Sequence, residues 1–432
     1  MDKQIVLDAL KNFYNHMAEV QYFNLDEFLN FMEPKFFEAG YRTAGDVKNI
    51  LLIHDSGIGD FILMTGAIRE IRKIYPNSKI KLVTHQNDSS LVDCCPYVDE
   101  IILNARTTDW KNFLEVYAWN LEIAEKLLTE KIDLCYSFTY FISSPLLMYM
   151  SGAVKRVSYF FERDENSSGG IGLPSLNDLA TVSVPRYFCG VHNVDINFSL
   201  IGYGREKILT NRTPEVWCKN SDVRTAKNFL GDVSKKFYAL CMGGTHPRKH
   251  YPPEKYAELV KMILADEYDA NFIIFGGGES DKNSAEILKN ILGEKICAEK
   301  IIDLTNKLNY RETVAALSFC KFYIGNDTGV MHIAAAVNCP VLVTFAFPAD
   351  LPENIENAPK RFHPYGVPCV VVQAEHALKE CKKNEPYTHY GCRVADTPHC
   401  ITQITPKTLF KGFQILKSQT DKKFAEPIFI CS

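Results

Sequence analysis

Apolar positions along most of this chain fall in short runs separated by longer stretches of helical spacing. Ile50-Leu51-Leu52-Ile53 is followed by a polar turn, Asp55-Ser56-Gly57-Ile58-Gly59-Asp60. A helix then reads through Ile62, Ala67, Ile68, Ile71 and Ile74 and stops at Pro76. Lys79 to Thr84, Ile101 to Leu103 and Ile132 to Phe138 read as further strands. Short apolar strands alternating with helices predict a mainly parallel sheet covered on both faces. Gly, Ser, Asn and Pro between Phe160 and Tyr187 predict a long loop, of a kind that often carries function.

The alternation restarts after a charged, polar stretch around Lys219 to Lys227. It runs through Phe237 to Met242, Asn271 to Phe275, Lys300 to Leu304, Phe322 to Ile324 and Val341 to Phe345. This predicts a second α/β domain, with a ligand cleft between the carboxyl ends of the two sheets. Residues 1–45 show helical spacing (Ile5, Leu7, Leu10, Phe13, then Leu25, Phe28, Leu29, Met32) and no strand pattern, predicting a helical appendage. The expected division is 1–45 appendage, 46–225 first Rossmann-like domain, 226–405 second, and 406–432 a C-terminal helix and tail.

The totals narrow the function classes. A length of 432 residues suits two domains and an appendage. Hydrophobic content of 46% with 23% charge is that of a soluble globular protein, and a net charge of −4 offers no bulk attraction to nucleic acid. No export signal or membrane span is read, so a cytoplasmic location is expected. The 14 cysteines are read as reduced thiols. Most, such as Cys135, Cys241, Cys320 and Cys339, lie in apolar runs, whereas Cys369, Cys381, Cys392 and Cys400 crowd into polar, loop-like sequence.

Three segments carry candidate chemistry. In the turn before the first helix, Ile62 stands where a dinucleotide fingerprint has its third glycine, and the Gly-Lys-Ser/Thr ending of a P-loop is missing. What stands out is Asp60, readable as an N-cap or as a general base for an attacking hydroxyl. After the first strand of the second domain comes Gly243-Gly244-Thr245-His246-Pro247-Arg248-Lys249-His250-Tyr251-Pro252. Its glycines admit a ligand and its cations can neutralise phosphate oxygens, though a solvated basic turn is the plain alternative. Gly325-Asn326-Asp327-Thr328-Gly329-Val330-Met331-His332 joins a strand to a helix whose N-terminus could meet a diphosphate, while Asp327 could equally be a cap and His332 a packed core histidine.

In order and spacing, over about residues 48 to 415, these three segments resemble glycosyltransferase family 9, the ADP-heptose:lipopolysaccharide heptosyltransferase family. The resemblance implies a GT-B fold, two Rossmann-like domains with acceptor bound by the first and nucleotide sugar by the second. It also implies an inverting, metal-independent transfer of heptose from ADP-heptose to a cell-envelope glycan. Carried over, Asp60 is the catalytic base; Gly244, Thr245, Lys249, Asp327, Thr328, Gly329, Val330 and His332 hold the donor. Ser56, Gly57, Gly59 and Arg69 are expected on the acceptor side. The basic face of Arg69, Arg72 and Lys73 is weighed as a peripheral contact with an anionic inner-membrane acceptor against a solvated helix face.

Two departures bear on this. Ala346-Phe347-Pro348-Ala349-Asp350 replaces the Gly-containing turn that family members usually show, and the N-terminal helical segment is extra. A protein acceptor of the autotransporter type and a different nucleotide-sugar donor are therefore alternatives, and a non-catalytic sugar-nucleotide scaffold is the reading from another class. Some members hold a metal on cysteines, so Cys369, Cys381, Cys392 and Cys400, aided by His389 and His399, are weighed as a structural iron or zinc site. Their spacings contain no short C-x2-C knuckle, and packed thiols are preferred.

Overall fold

Thirteen strands form two parallel sheets in a computed structural model that describes residues 3–20, 47–85, 89–104, 113–139, 143–160, 178–185, 190–203, 211–350, 358–378, 400–419 and 427–432. The first sheet contains β1 (Asn49–Ile53), β2 (Lys79–His85), β3 (Glu100–Asn104), β4 (Leu134–Ser137), β5 (Lys155–Phe160) and β6 (Val182–Pro185), in the order β3-β2-β1-β4-β5-β6. The second contains β7 (Lys236–Cys241), β8 (Ala270–Phe275), β9 (Ile301–Asp303), β10 (Cys320–Asn326), β11 (Val341–Thr344), β12 (Cys369–Gln373) and β13 (Ile428–Cys431), in the order β13-β12-β11-β10-β7-β8-β9. Counted from its own first strand, each sheet follows the doubly wound order 3-2-1-4-5-6, and the second adds one strand. The strands are apolar on both sides because helices cover both faces; β8, β11 and β12 are buried at every residue.

The chain divides into two compact units: residues 1–57, 66–186 and 195–212, and residues 58–65, 187–194 and 213–432. The second unit's core joins Tyr238, Leu240, Phe272, Ile324, Leu342 and Val370 from the sheet to Tyr256, Leu259 and Ile263 of the helix Pro253–Asp266 and to Leu409, Phe413 and Leu416 of the helix Pro406–Lys417.

Several elements differ from the sequence-based expectation. Lys3–Val20 is one helix that belongs to the first unit's core: Val6, Ala9, Leu10, Phe13 and Met17 pack with Tyr117, Ala124 and Leu127 of the helix Phe113–Leu128. Its buried face is offset from the expected one, leaving Ile5 53% exposed. Leu25, Phe28, Leu29 and Met32 lie outside the described residues. Val182–Pro185, expected in a loop, pairs with β5 as an edge strand. The polar stretch around Lys219 to Lys227 is the helix Asn220–Leu230, whose Asp222 accepts from the Lys219 N–H at 2.8 Å and from Arg311 at 3.1 Å. Cys369 opens β12 rather than a loop, and Ile428–Cys431 adds a strand beside it rather than a tail. Among the described residues no helix is long and apolar enough to cross a membrane.

Candidate active site

In each doubly wound sheet, the strand order reverses between the first strand and its fourth, and loops leaving these two strands at their carboxyl ends diverge to leave room for a ligand. In the second unit those strands are β7 and β10, paired in register from Phe322↔Tyr238 to Gly325↔Cys241. The segments leaving them are 242–252 and 327–329, two of the three motifs read from the sequence.

Asn326, fully buried at the end of β10, fastens the two segments together. Its Nδ2 donates to Met242 O and to Gly243 O, while its Oδ1 accepts from Tyr256 at 2.8 Å and Thr344 at 3.0 Å. Each buried polar atom of this amide is therefore matched, as a low-dielectric interior requires. Next along the chain, Asp327 accepts from Lys249 Nζ at 2.6 Å. Asp327 is buried, with its side chain 9% exposed; Lys249 keeps 22% of its side chain accessible. Thr245 is exposed, Gly244 O accepts from His250 Nε2 at 2.7 Å, and Thr328 is the N-cap of the helix Gly329–Ala336.

Asp281, a residue the motif reading passed over, lies against the same loops. Its carboxylate accepts from Gly277 N at 2.8 Å, and burial pushes its pKa up. A Cβ at residue 243 would stand 2.0 Å from its Oδ2, so this carboxylate occupies the space that a side chain at 243 would need. The departure at 346–350 forms a turn tied to the end of β12 and to the segment after it: Gln373 Nε2 donates to Phe347 O at 2.7 Å, and Asp350 Oδ1 accepts from Ala377 N at 2.8 Å.

The third motif meets these two inside the same unit, because residues 58–65 belong to it. The helix Ile58–Ile74 starts against the start of Gly329–Ala336, and glycines on both sides permit the approach. A Cβ at 59 would lie 3.0 Å from His332 Cδ2, and one at 329 would lie 2.2 Å from Ile58 Cγ2. Asp60, in the first turn, accepts from Asn193 Nδ2 at 3.4 Å. His332 is 5% exposed and its Nδ1 has no hydrogen-bond partner among the described residues. Burial brings its pKa down to about 4, against the opposing pull of Asp327 and Asp60. The ring is neutral at pH 7, with one nitrogen unmatched.

Ser56 is half-buried and Gly57 is the exposed N-cap of the helix Ile58–Ile74. Beside them at the end of β1, Asp55 Oδ2 accepts from Ser143 Oγ at 2.7 Å and Asp55 N donates to Thr139 Oγ1 at 3.4 Å. Arg69 does not present its charge to solvent: it is 4% exposed, with Nη2 donating to Asn211 O at 2.7 Å and Nε to Glu70 at 3.1 Å. Arg72 donates to Asp99 at 2.5 Å and to Ser78 O at 2.7 Å, and Lys73 holds Glu70 at 2.8 Å. The expected basic face is thus largely taken up by internal contacts.

The comparisons decide which family these motifs belong to. The sequence pattern of glycosyltransferase family 9 (heptosyltransferase) matches residues 120–390. Lipooligosaccharide heptosyltransferase 2 of Haemophilus influenzae is 32% identical over 313 residues, covering 69% of this chain and 83% of that protein. The chain belongs to glycosyltransferase family 9. Two solved structures share its fold. A family 9 glycosyltransferase from Veillonella parvula has a TM-score of 0.66 at 17% identity, covering 87% of this chain and 99% of that one. ADP-heptose lipopolysaccharide heptosyltransferase II of Escherichia coli has a TM-score of 0.63 at 19% identity, covering 86% and 99%. The fold is GT-B, built on two Rossmann-like sheets, and this family 9 chain is a glycosyltransferase.

The cysteine group was a separate expectation. Cys369 is fully buried in β12, donates to Pro364 O at 3.8 Å, and has its thiol pushed up to about 12 by burial. Cys400 packs with Ala374 and Ala377. Cys381, Cys392, His389 and His399 lie outside the described residues, and among those described no group of three or more ligating side chains is found.

Proposed function

We propose that the protein transfers heptose from ADP-heptose to a hydroxyl of a cell-envelope glycan of the lipopolysaccharide core type, with inversion at the anomeric carbon. The observation that carries this reading is the packing of the Asp60 turn on the helix of the Asp327 motif, Gly59 against His332 and Ile58 against Gly329. The reading is supported by that approach, since direct displacement needs a base on one side of the sugar and an anion-binding segment on the other. The names of similar proteins supply the substrate class: lipooligosaccharide heptosyltransferase 2 and ADP-heptose lipopolysaccharide heptosyltransferase II.

In the proposed step Asp60 takes the proton of the acceptor hydroxyl as its oxygen bonds to the anomeric carbon. The bond from that carbon to the diphosphate oxygen breaks on the opposite face, and its electron pair leaves with ADP. Lys249 and the N-terminus of Gly329–Ala336 take up the developing charge, in the role that a divalent metal fills elsewhere. Thr245, Gly244, Thr328 and Val330 line the diphosphate, and the buried His332 ring backs that segment. Asp281, beside the first two strands of the unit, suits a ribose hydroxyl, as acidic residues do in other Rossmann-like sites.

Thermal shift with ADP-heptose, ADP, UDP-sugars, GDP-sugars and NAD tests the donor. At about 100 times its dissociation constant a ligand adds about 2.7 kcal/mol, a visible rise in melting temperature. A selective response to ADP-heptose and ADP is expected; a selective response to another sugar nucleotide overturns the heptose assignment. Asp60→Ala should cut turnover by roughly 10² to 10⁴ with donor binding kept. An active Asp60→Ala enzyme removes the base assignment.

A further inference from the structure

We propose that Asn193 is a positioning residue for Asp60, holding the carboxylate that the reading above makes the general base. The inference rests on that reading and deepens it. Asn193 is the first residue of the helix Asn193–Gly202; it is 7% exposed, and its Nδ2 donates to Asp60 Oδ1 at 3.4 Å. Both residues lie in segments of the second compact unit, 187–194 and 58–65.

The backbone that delivers Asn193 is itself anchored. His192 Nδ1 accepts from Val194 N at 3.1 Å, so the ring hydrogen sits on Nε2, which donates to His363 O at 2.9 Å. The His192 ring lies 4.5 Å from that of His363 and 4.8 Å from that of Tyr365. Burial, reinforced by His363, keeps His192 neutral, so one tautomer serves both bonds. Residue 193 is thus presented to Asp60 from a fixed post rather than from a free loop.

An amide suits this position for two reasons. It offers an N–H to a carboxylate oxygen, leaving the other oxygen for a substrate hydroxyl, and it adds no charge of its own. The hydrogen bond also limits rotation of the carboxylate. Among the described residues, the titratable and charged groups at this place include His332, neutral and within the field of Asp60, the Asp327–Lys249 pair and His363, which act on His332 in turn, and the buried Arg361, which acts on His192.

The test compares Asn193→Ala and Asn193→Asp with the unaltered protein. The kcat and the KM for ADP-heptose are measured for each, with Asp60→Asn beside them. ADP affinity is measured by calorimetry, and ADP release from ADP-heptose is followed with a core glycolipid truncated in its heptose region. In Asn193→Ala kcat at neutral pH should fall about 3- to 10-fold with the KM for ADP-heptose kept. In Asn193→Asp, which keeps shape and a residue suited to a helix start but removes the donor, the fall in kcat should be larger because a second carboxylate then faces Asp60. ADP affinity should stay within about twofold in both. A kcat within twofold of the unaltered protein in Asn193→Ala, or a loss that falls on the KM for ADP-heptose rather than on kcat, overturns the positioning role. An Asp60→Asn enzyme that still turns over overturns the base assignment, and the catalytic meaning of the contact falls with it.

Discussion

Lys249 Nζ stands 2.6 Å from Asp327 Oδ2, and this ion pair bridges the segments leaving β7 and β10, where the strand order of the second sheet reverses. The pair is more than a brace. Lys249 is partly accessible while Asp327 is buried, so the ammonium can turn toward an incoming diphosphate without first being dragged from a closed interior.

Lys249→Met should therefore weaken ADP binding by roughly 10- to 100-fold, the range set by a charged hydrogen bond worth about 1.5–3 kcal/mol. Isothermal titration calorimetry reads this directly. Affinity within twofold of the unaltered protein would remove Lys249 from the diphosphate site.

Asn326 supports a prediction of the opposite kind, on stability. Its Nδ2 faces two carbonyl oxygens, those of Met242 and Gly243. Asn326→Asp would put a carboxylate oxygen in place of Nδ2, facing both carbonyls without a donor, while Tyr256 and Thr344 still donate to the other oxygen; it should cost about 3–5 kcal/mol. Asn326→Ala removes the amide without adding charge and should cost less. Urea melts of both variants check the order; an aspartate variant as stable as the alanine one would contradict it.

Phe13 tests whether the N-terminal helix is part of the first unit's core or an accessory. The ring is 1% exposed and packs 6.0 Å from that of Tyr117, whose hydroxyl donates to Leu10 O at 3.1 Å. Phe13→Ala should cost about 3–5 kcal/mol, the usual range for a buried aromatic truncation. A melting temperature unchanged by this substitution would make the helix dispensable to the fold.

The alternation of strand and helix made the two parallel sheets legible, because buried parallel strands must be apolar at nearly every position and leave a plain mark. Edge elements leave a weaker one: Val182–Pro185 has only one buried residue, and Ile428–Cys431 alternates half-buried with exposed. The Asp60, Lys249 and Asp327 motifs were readable as compact runs of unusual chemistry. Asn193, His192 and Asp281 were not, since each is a single polar residue whose partner is distant in sequence. Asn193 lies 133 residues from Asp60, a separation that no local pattern records. Arg69 failed in the other direction: a basic residue at helical spacing reads as a surface charge until Asn211 O and Glu70 are seen beside it.

His332 gives a pH dependence whose sign follows from its burial. Its pKa of about 4 in the folded protein lies below the ordinary 6.5, so between these values the unfolded chain binds the proton that the folded one refuses. The stability contributed is complete above about pH 6.5 and is lost as pH falls toward 4. His192, also pushed down by burial, acts in the same direction. The melting temperature should be level above pH 7 and decline through this window, and His332→Gln should flatten the decline because glutamine takes up no proton. A variant whose melting temperature falls as steeply as that of the unaltered protein would mean that His332 titrates normally. The same neutrality bears on catalysis. At pH 7 the imidazole can offer a hydrogen bond but no positive charge, so in the proposed transfer the charge of the departing diphosphate would be met by Lys249 and the helix start at Gly329, and acidification should erode the fold before it supplies a second cation.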